Sequence, residues 1–445
     1  MHTASPTASA APSPLVPATT GAAAPRVQIP AGAVSTVHRD PVADLSGRVI
    51  GYTVAVSVDL THVPTQQTAQ RRTGPVPVPP AVLHEHYLAL DLPSLVADRY
   101  VFLPATPLML DGFVPGPVTP GRLVLELPAR YEHSDEAVER AAALRALGVH
   151  LSLLHYRGEA EQTALLPHLS FVVVDANEPD LPLARLVHQA HQAGVRVLAA
   201  DVQTSRVEND CRAAGVDGLR GGYGVRADAQ AAGDPEGDPP TGPRVLRAGE
   251  LQCLALMHLL SQPEVDFAAV SQVVDTDPVL TLRVLHLVNS GAFALVSQID
   301  TVHQAVVLLG VREVTTLVSA LMLDARPDAM DSLWFILARA LACETLAEDS
   351  AAYTVGMLSG LAVQLGVPAD VILETVGVSD AVADAIRSEE GPYGPVLAAV
   401  RAHERHDEPG VLATGLQPSD ISAAYVRAVA DALETAQAVT RDGGA

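Results

Sequence analysis

The stretch AQAAGDPEGDPPTGP, from Ala229 to Pro243, divides this chain into two parts that obey different periodicities. Gly, Pro and acidic residues crowd it, leaving neither the apolar spacing of a helix nor the alternation of a strand, so it reads as a flexible linker. Ahead of it, short apolar runs alternate with amphipathic stretches. Val49 to Val58, His86 to Leu92, Arg122 to Leu127, His150 to Leu154, Phe171 to Asp175, Arg196 to Ala200 and Gly218 to Gly222 read as strands. Ser134 to Leu147, Leu181 to Ala193 and Val207 to Ala214 read as helices, closed by Gly148, Gly194 and Gly215. Strand-helix repetition implies a mostly parallel sheet, and this many units imply an α/β barrel of the TIM type, with some helices missing or reduced because the segment is short. After the linker, apolar residues recur at three and four positions throughout, the mark of an all-helical domain.

These periods set the expected layout. Residues 1–32 are Ala- and Pro-rich, too poor in apolar side chains to offset their ordering entropy, and read as disordered. Residues 33–228 form the barrel, 229–243 the linker, and 244–445 the helical domain with its C-terminal helices. With 445 residues, 48% of them hydrophobic, both parts can bury a core, and aromatics at 4% mean that those cores rest on Ala, Val and Leu. The 28 basic residues, all Arg, face 51 acidic ones. A net charge of -23 repels phosphate backbones and anionic lipid, which excludes nucleic acid and membrane surfaces as expected partners. Cys211, Cys253 and Cys343 are far apart and form no CxxC, so they read as small core residues in a reducing compartment. Arg26 is the first basic residue, no apolar segment of signal-peptide type precedes it, and no run approaches the ~18 to 20 apolar residues of a membrane span. The expectation is a soluble, cytoplasmic protein.

Within the helical part, Asp277 can cap the first free N–H groups of a helix, Pro278 suits its first turn, and Asn289-Ser290-Gly291 supplies an exit. A second helix runs from about Thr301 to Leu309 and stops at Gly310, where a residue without Cβ can turn left-handed. Together with Leu251 to Ser261 and Val311 to Leu321, this run resembles the HDOD domain, an all-helical relative of the HD phosphohydrolases. The resemblance marks Asp277, Pro278, Asn289, Ser290 and Gly310 as structural signature positions. It also implies that the metal-binding residues of the HD enzymes are missing: Ser359 and Gly360, in Gly356-Met357-Leu358-Ser359-Gly360, stand where a His-Asp dyad would sit. The literal His406-Asp407 pair, with His403 before it, lies in a charged segment running into Pro409-Gly410 and reads as a solvated helix end. His84 with His86, and His188 with His191, lack Cys or carboxylates at metal-ligand spacing and read as surface or core polar groups.

The first part resembles an EAL domain, the barrel family that hydrolyses cyclic di-GMP with two metal ions. Arg39-Asp40-Pro41-Val42-Ala43-Asp44 and Gly47-Arg48-Val49-Ile50-Gly51-Tyr52 resemble its first strand and hairpin. Set against that family, Thr53 replaces the signature Glu, Leu154 and His155 the paired aspartates, Val173 the lysine, and Ala200 and Gln203 the later glutamates. Glu126 and Asp175 remain, with Asp91 at the Asn position and Arg220 in a Gly-rich loop as a donor for an anion. Glu126, Asp175 and Arg220 are therefore the candidate binding residues. The two-domain EAL–HDOD order is that of bacterial regulatory proteins. The resulting expectation is a scaffold that is not an enzyme, has no catalytic residue, metal or cofactor, and acts on an unidentified signalling protein through protein–protein contact. The alternatives are a sensor that binds cyclic di-GMP without hydrolysis, and an atypical cyclic di-GMP phosphodiesterase or HD-type phosphohydrolase.

Overall fold

The computed structural model describes residues 29–30, 33–46, 48–60, 78–96, 98–115, 121–134, 136–178, 181–200, 202, 205–221, 248–262, 264–275, 284, 299, 301–323, 330–365 and 367–441. The strands β1 (Val34–Asp44), β2 (Val49–Asp59), β3 (Tyr100–Pro104), β4 (Leu123–Leu127), β5 (His150–Leu153), β6 (Phe171–Asp175), β7 (Arg196–Ala200) and β8 (Gly218–Arg220) close into a barrel in chain order. Strands β2 to β8 are parallel, whereas β1 runs antiparallel to both of its neighbours. The β1–β2 hairpin is tight because Asp44 Oδ1 accepts from the backbone N–H groups of Ser46 and Arg48 at 2.9 and 3.1 Å.

Helices α1 (Pro80–Ala89) and α2 (Leu92–Val96) follow β2, and α3 (Pro107–Leu110) follows β3. Helices α4 (Ala137–Ala146), α5 (Ala160–Leu165), α6 (Leu183–Gln192) and α7 (Ser205–Ala214) follow the next four strands in turn. The expected strand His86 to Leu92 is thus corrected: it is the second half of α1 and the start of α2. Pro80 opens that helix, and Val82, His84, Glu85, His86 and Tyr87 are all buried, so no single apolar stripe betrays the helical period. Inside the barrel, strand alternation brings Val42, Phe102, Val124, Phe171, Val173 and Leu198 into one cluster, with the Phe102 and Phe171 rings edge to face at 5.0 Å. Gly51 permits this filling, since a Cβ there would lie 2.9 Å from the Phe102 ring.

The helical part comprises α8 (Ala248–Leu260), α9 (Phe267–Asp275), α10 (Val302–Leu323), α11 (Met330–Ala347), α12 (Ser350–Leu365), α13 (Ala369–Val376), α14 (Asp380–Ser388), α15 (Gly394–Glu404), α16 (Glu408–Ala413) and α17 (Pro418–Arg441). Helix α11 is central, buried without a break from Leu333 to Ala340. Helix α12 approaches it so closely that a Cβ at Gly356 would meet the Arg339 carbonyl oxygen at 2.6 Å. Gly310, at φ 77° and ψ 176°, is non-helical and divides α10 into two helices at the expected stop, with the positive φ that suits a residue without Cβ but an extended ψ in place of the αL one. Asp277, Pro278, Asn289 and Ser290 lie outside the described residues, as does the stretch 229–243; Val284, within the expected helix, is helical and buried. The segment read as a helix end before Pro409-Gly410 contains the start of α16, whose cap is Asp407 accepting from Gly410 N at 2.9 Å.

Only Val42 to Asp44 of β1 pair with β8, and only Gly51 to Thr53 of β2 pair with β3. The rest of the hairpin, up to the pair Val34 and Asp59, is therefore a ribbon standing beyond the barrel rim. An exposed ribbon edge would leave unpaired N–H groups. Here the helical part covers it: Val37 N donates to Ser422 Oγ of α17 at 2.7 Å across 385 positions of sequence. The Arg39 guanidinium lies between the Tyr52 ring and the Trp334 ring of α11, 3.4 and 4.0 Å from their centroids.

Candidate functional site

The barrel's candidate site is its mouth, where the strand C-termini of a TIM-type barrel gather side chains from distant sequence. Inward alternation places Asp40 of β1, Thr53 of β2, Glu126 of β4, Ser152 of β5, Asp175 of β6, Ala200 of β7 and Arg220 of β8 on this side. Glu126 Oε2 accepts from Arg220 Nη2 at 2.7 Å, and the carboxylate side chain is 1% exposed against 22% for the arginine. Burial pushes the Glu126 carboxyl above the usual range, Arg220 pulls it back, and Asp40 adds a smaller upward push. Glu126 Oε1, Thr53 Oγ1, Ser152 Oγ and Arg220 Nε are buried without a partner. Among the described residues the mouth is thus a polar patch over an apolar floor, in which Glu126 and Arg220 share their charge and other donors and acceptors are unspent.

Of the expected binding residues, the fold brings Glu126 and Arg220 together. Asp175, at the end of β6 and two strands from each of them, turns its Oδ1 back to accept from Asn177 N at 3.0 Å. Asp91 is not on a barrel strand: it lies between α1 and α2 and accepts from Ser94 Oγ at 2.6 Å. Leu154 borders the barrel cluster, Val173 is buried in it, and His155 is exposed with φ 53°. Gln203 lies outside the described residues. A pair of metal ions, which the EAL resemblance implies, needs several converging carboxylates. Among the described residues no three His, Cys, Asp or Glu side chains are placed to share one ion, and Arg220 occupies Glu126. The described residues do not fit a two-metal group.

In the helical part, Ser359 lies where a buried Arg339 donates to Ser359 Oγ at 2.9 Å and to both oxygens of Glu404 at 3.1 and 2.6 Å. Both charged side chains are almost fully enclosed, at 0% and 4% exposure. The position compared with a metal dyad is a charged tie between α11, α12 and α15.

Sequence reasoning missed the junction of the two parts. His403 is not solvated but buried at 4% exposure. Its ring stacks on His38 of the ribbon at 4.9 Å, His406 lies against His38 at 4.4 Å, and His406 Nε2 is 3.1 Å from Asp40 Oδ1. Burial lowers His38 to about 4 and His403 to about 3, and the neighbouring imidazoles add to both shifts. The three cysteines are buried and unbridged; burial raises Cys211 to about 11 and Cys343 to about 12, which leaves little thiolate for chemistry.

Residues 252–367 match the HDOD domain. Over 307 residues the chain is 24% identical to the cyclic di-GMP phosphodiesterase CdgJ of Vibrio cholerae, spanning 65% of this chain and 67% of that one. A match of that length exceeds the whole helical part and so takes in barrel residues. The chain thus sets an eight-stranded barrel ahead of a helical part that matches the HDOD domain. Among solved structures, the FimX EAL domain of Xanthomonas citri in complex with cyclic di-GMP superposes with a TM-score of 0.31 at 18% identity, over 43% of this chain and 87% of that one. An EAL domain protein of Listeria monocytogenes gives 0.33 at 15%, over 43% and 87%. Superpositions this loose assign no function. The expectation that the chain is not an enzyme is corrected by the relative CdgJ, a phosphodiesterase. Among the described residues no helix is long and apolar enough to cross a membrane.

Proposed function

We propose that the protein works in cyclic di-GMP signalling, that its barrel mouth receives the dinucleotide, and that its HDOD part passes the state of the barrel to a signalling partner through protein contact. The observation that carries this reading is the Arg220–Glu126 pair at the mouth. A phosphodiester competes with a carboxylate for the same guanidinium donors. Because Glu126 is already held above its ordinary range by burial, it can give up Arg220 by taking a proton instead of standing as a naked buried charge. The similarity to CdgJ supports cyclic di-GMP as the ligand. The covered ribbon seats the helical part on the barrel, and the charged tie holds α11, α12 and α15 together within it.

Equilibrium binding of cyclic di-GMP to the full chain tests the reading, with chromatography of the same samples measuring turnover to linear products. Saturable binding that weakens about tenfold or more in Arg220→Ala, the loss expected for a charge-assisted hydrogen bond, is the outcome expected. No binding, or equal binding in Arg220→Ala, contradicts it.

A further inference from the structure

The opposite end of the barrel carries a second group of cations that nothing at the mouth explains. Tyr100, Arg122, His150 and Arg196 stand at the N-terminal ends of β3, β4, β5 and β7, and Arg145 reaches in from α4. The Arg122 and Arg196 guanidinium carbons lie 5.5 and 5.3 Å from the Tyr100 ring centroid, with Arg196 also 4.2 Å from that of Phe171. His150 meets the Tyr100 ring edge on at 5.6 Å. Arg145 Nη1 bonds both His150 Nδ1 at 3.1 Å and Ser170 Oγ at 2.9 Å. His150 Nδ1 also lies 2.6 Å from Ser170 Oγ. Burial, Arg145 and Arg196 lower the His150 pKa while a backbone hydrogen bond at Gly121 raises it, and the balance disfavours a positive ring.

No carboxylate pairs with Arg122, Arg145 or Arg196 among the described residues. The carboxylates at this end are committed elsewhere, Asp44 to Ser46 and Arg48, and Asp217 to His191 and the Val197 N–H. Two of these guanidiniums, Arg122 and Arg196, share the Tyr100 ring, and Arg145 joins them through His150 and Ser170. Gly121, next to Arg122, leaves space on its own flank, since a Cβ there would meet nothing within 4 Å.

We propose that this end of the barrel is a binding site for a small multivalent oxyanion, a phosphate or phosphomonoester, held by Arg122, Arg145 and Arg196 over Tyr100 and His150. Guanidinium forks suit such an anion. The site is separate from the mouth, so its test does not depend on cyclic di-GMP.

Inorganic phosphate is titrated into the full chain by calorimetry at fixed ionic strength, with chloride as the screening control. The expected result is saturable binding that weakens about tenfold or more in Arg122→Gln and in Arg145→Gln, the loss of one charge-assisted contact each, and persists in Arg220→Gln. Arg122 is exposed, so its variant folds, and circular dichroism checks this. Absence of saturable binding, or binding lost in Arg220→Gln and kept in Arg122→Gln, overturns the proposal.

Discussion

Arg220 and Glu126 are 94 positions apart and meet only because β4 and β8 close the same barrel. Removing the arginine leaves a carboxylate at 1% exposure with no cation beside it. Arg220→Ala should therefore cost about 1–3 kcal/mol near neutral pH, the penalty of an unsatisfied buried group. Glu126, already raised by burial, then rises further, so the folded variant binds a proton that the unfolded chain releases near its ordinary range. The deficit should narrow as pH falls, and thermal melts at two pH values check it; a deficit that widens in acid contradicts the assignment. Gly310 is a second residue whose role is local. With φ 77° and ψ 176° it occupies backbone space that side chains rarely enter. Gly310→Ala should destabilise by about 1–3 kcal/mol in denaturant titration, and an unchanged midpoint contradicts the kink.

At the scale of elements, the histidines of ribbon and α15 make the junction sensitive to acid. His38 and His403 have folded-state values of about 4 and about 3, below the ordinary 6.5. Between those limits the unfolded chain binds protons that the folded chain excludes, so the stability from burying neutral rings is full above about 6.5 and is lost as pH falls toward 4 and 3. Unfolding midpoints of His403→Phe should depend less on pH over that window than the parent's. Equal pH dependence contradicts the burial. Much of this scale was legible in sequence: the strand-helix alternation, the stops at Gly148, Gly194 and Gly215, and most helices of the second part follow from periodicity and capping. What failed did so for physical reasons. His86 to Leu92 mimics a strand because α1 is buried on several sides, and His403 looks solvated because its burial comes from a strand near the other end of the chain.

For the whole molecule, the ribbon joins two parts that the sequence separates. Asp40 touches both the mouth, where it pushes Glu126 upward, and the junction, where it meets His406. Only the site's candidates, not their pairing, were readable, since Glu126 and Arg220 carry no local signal of each other. The domain layout remains a proposal with a direct check. Limited proteolysis should cut first within 229–243, and the two fragments should co-elute because Arg39, Tyr52, Trp334, Val37 and Ser422 still hold them. Fragments that separate on a sizing column contradict the junction, whereas Trp334→Ala should loosen it.

The measurement that bears most directly on the barrel mouth is calorimetric titration of the full chain with cyclic di-GMP at two pH values and in buffers of different ionisation heat. If the phosphodiester takes Arg220 and Glu126 takes up a proton, binding absorbs protons and tightens as pH falls. That linkage should vanish in Glu126→Gln. Binding that is absent, or that shows the same affinity and no proton uptake at both pH values, contradicts the account.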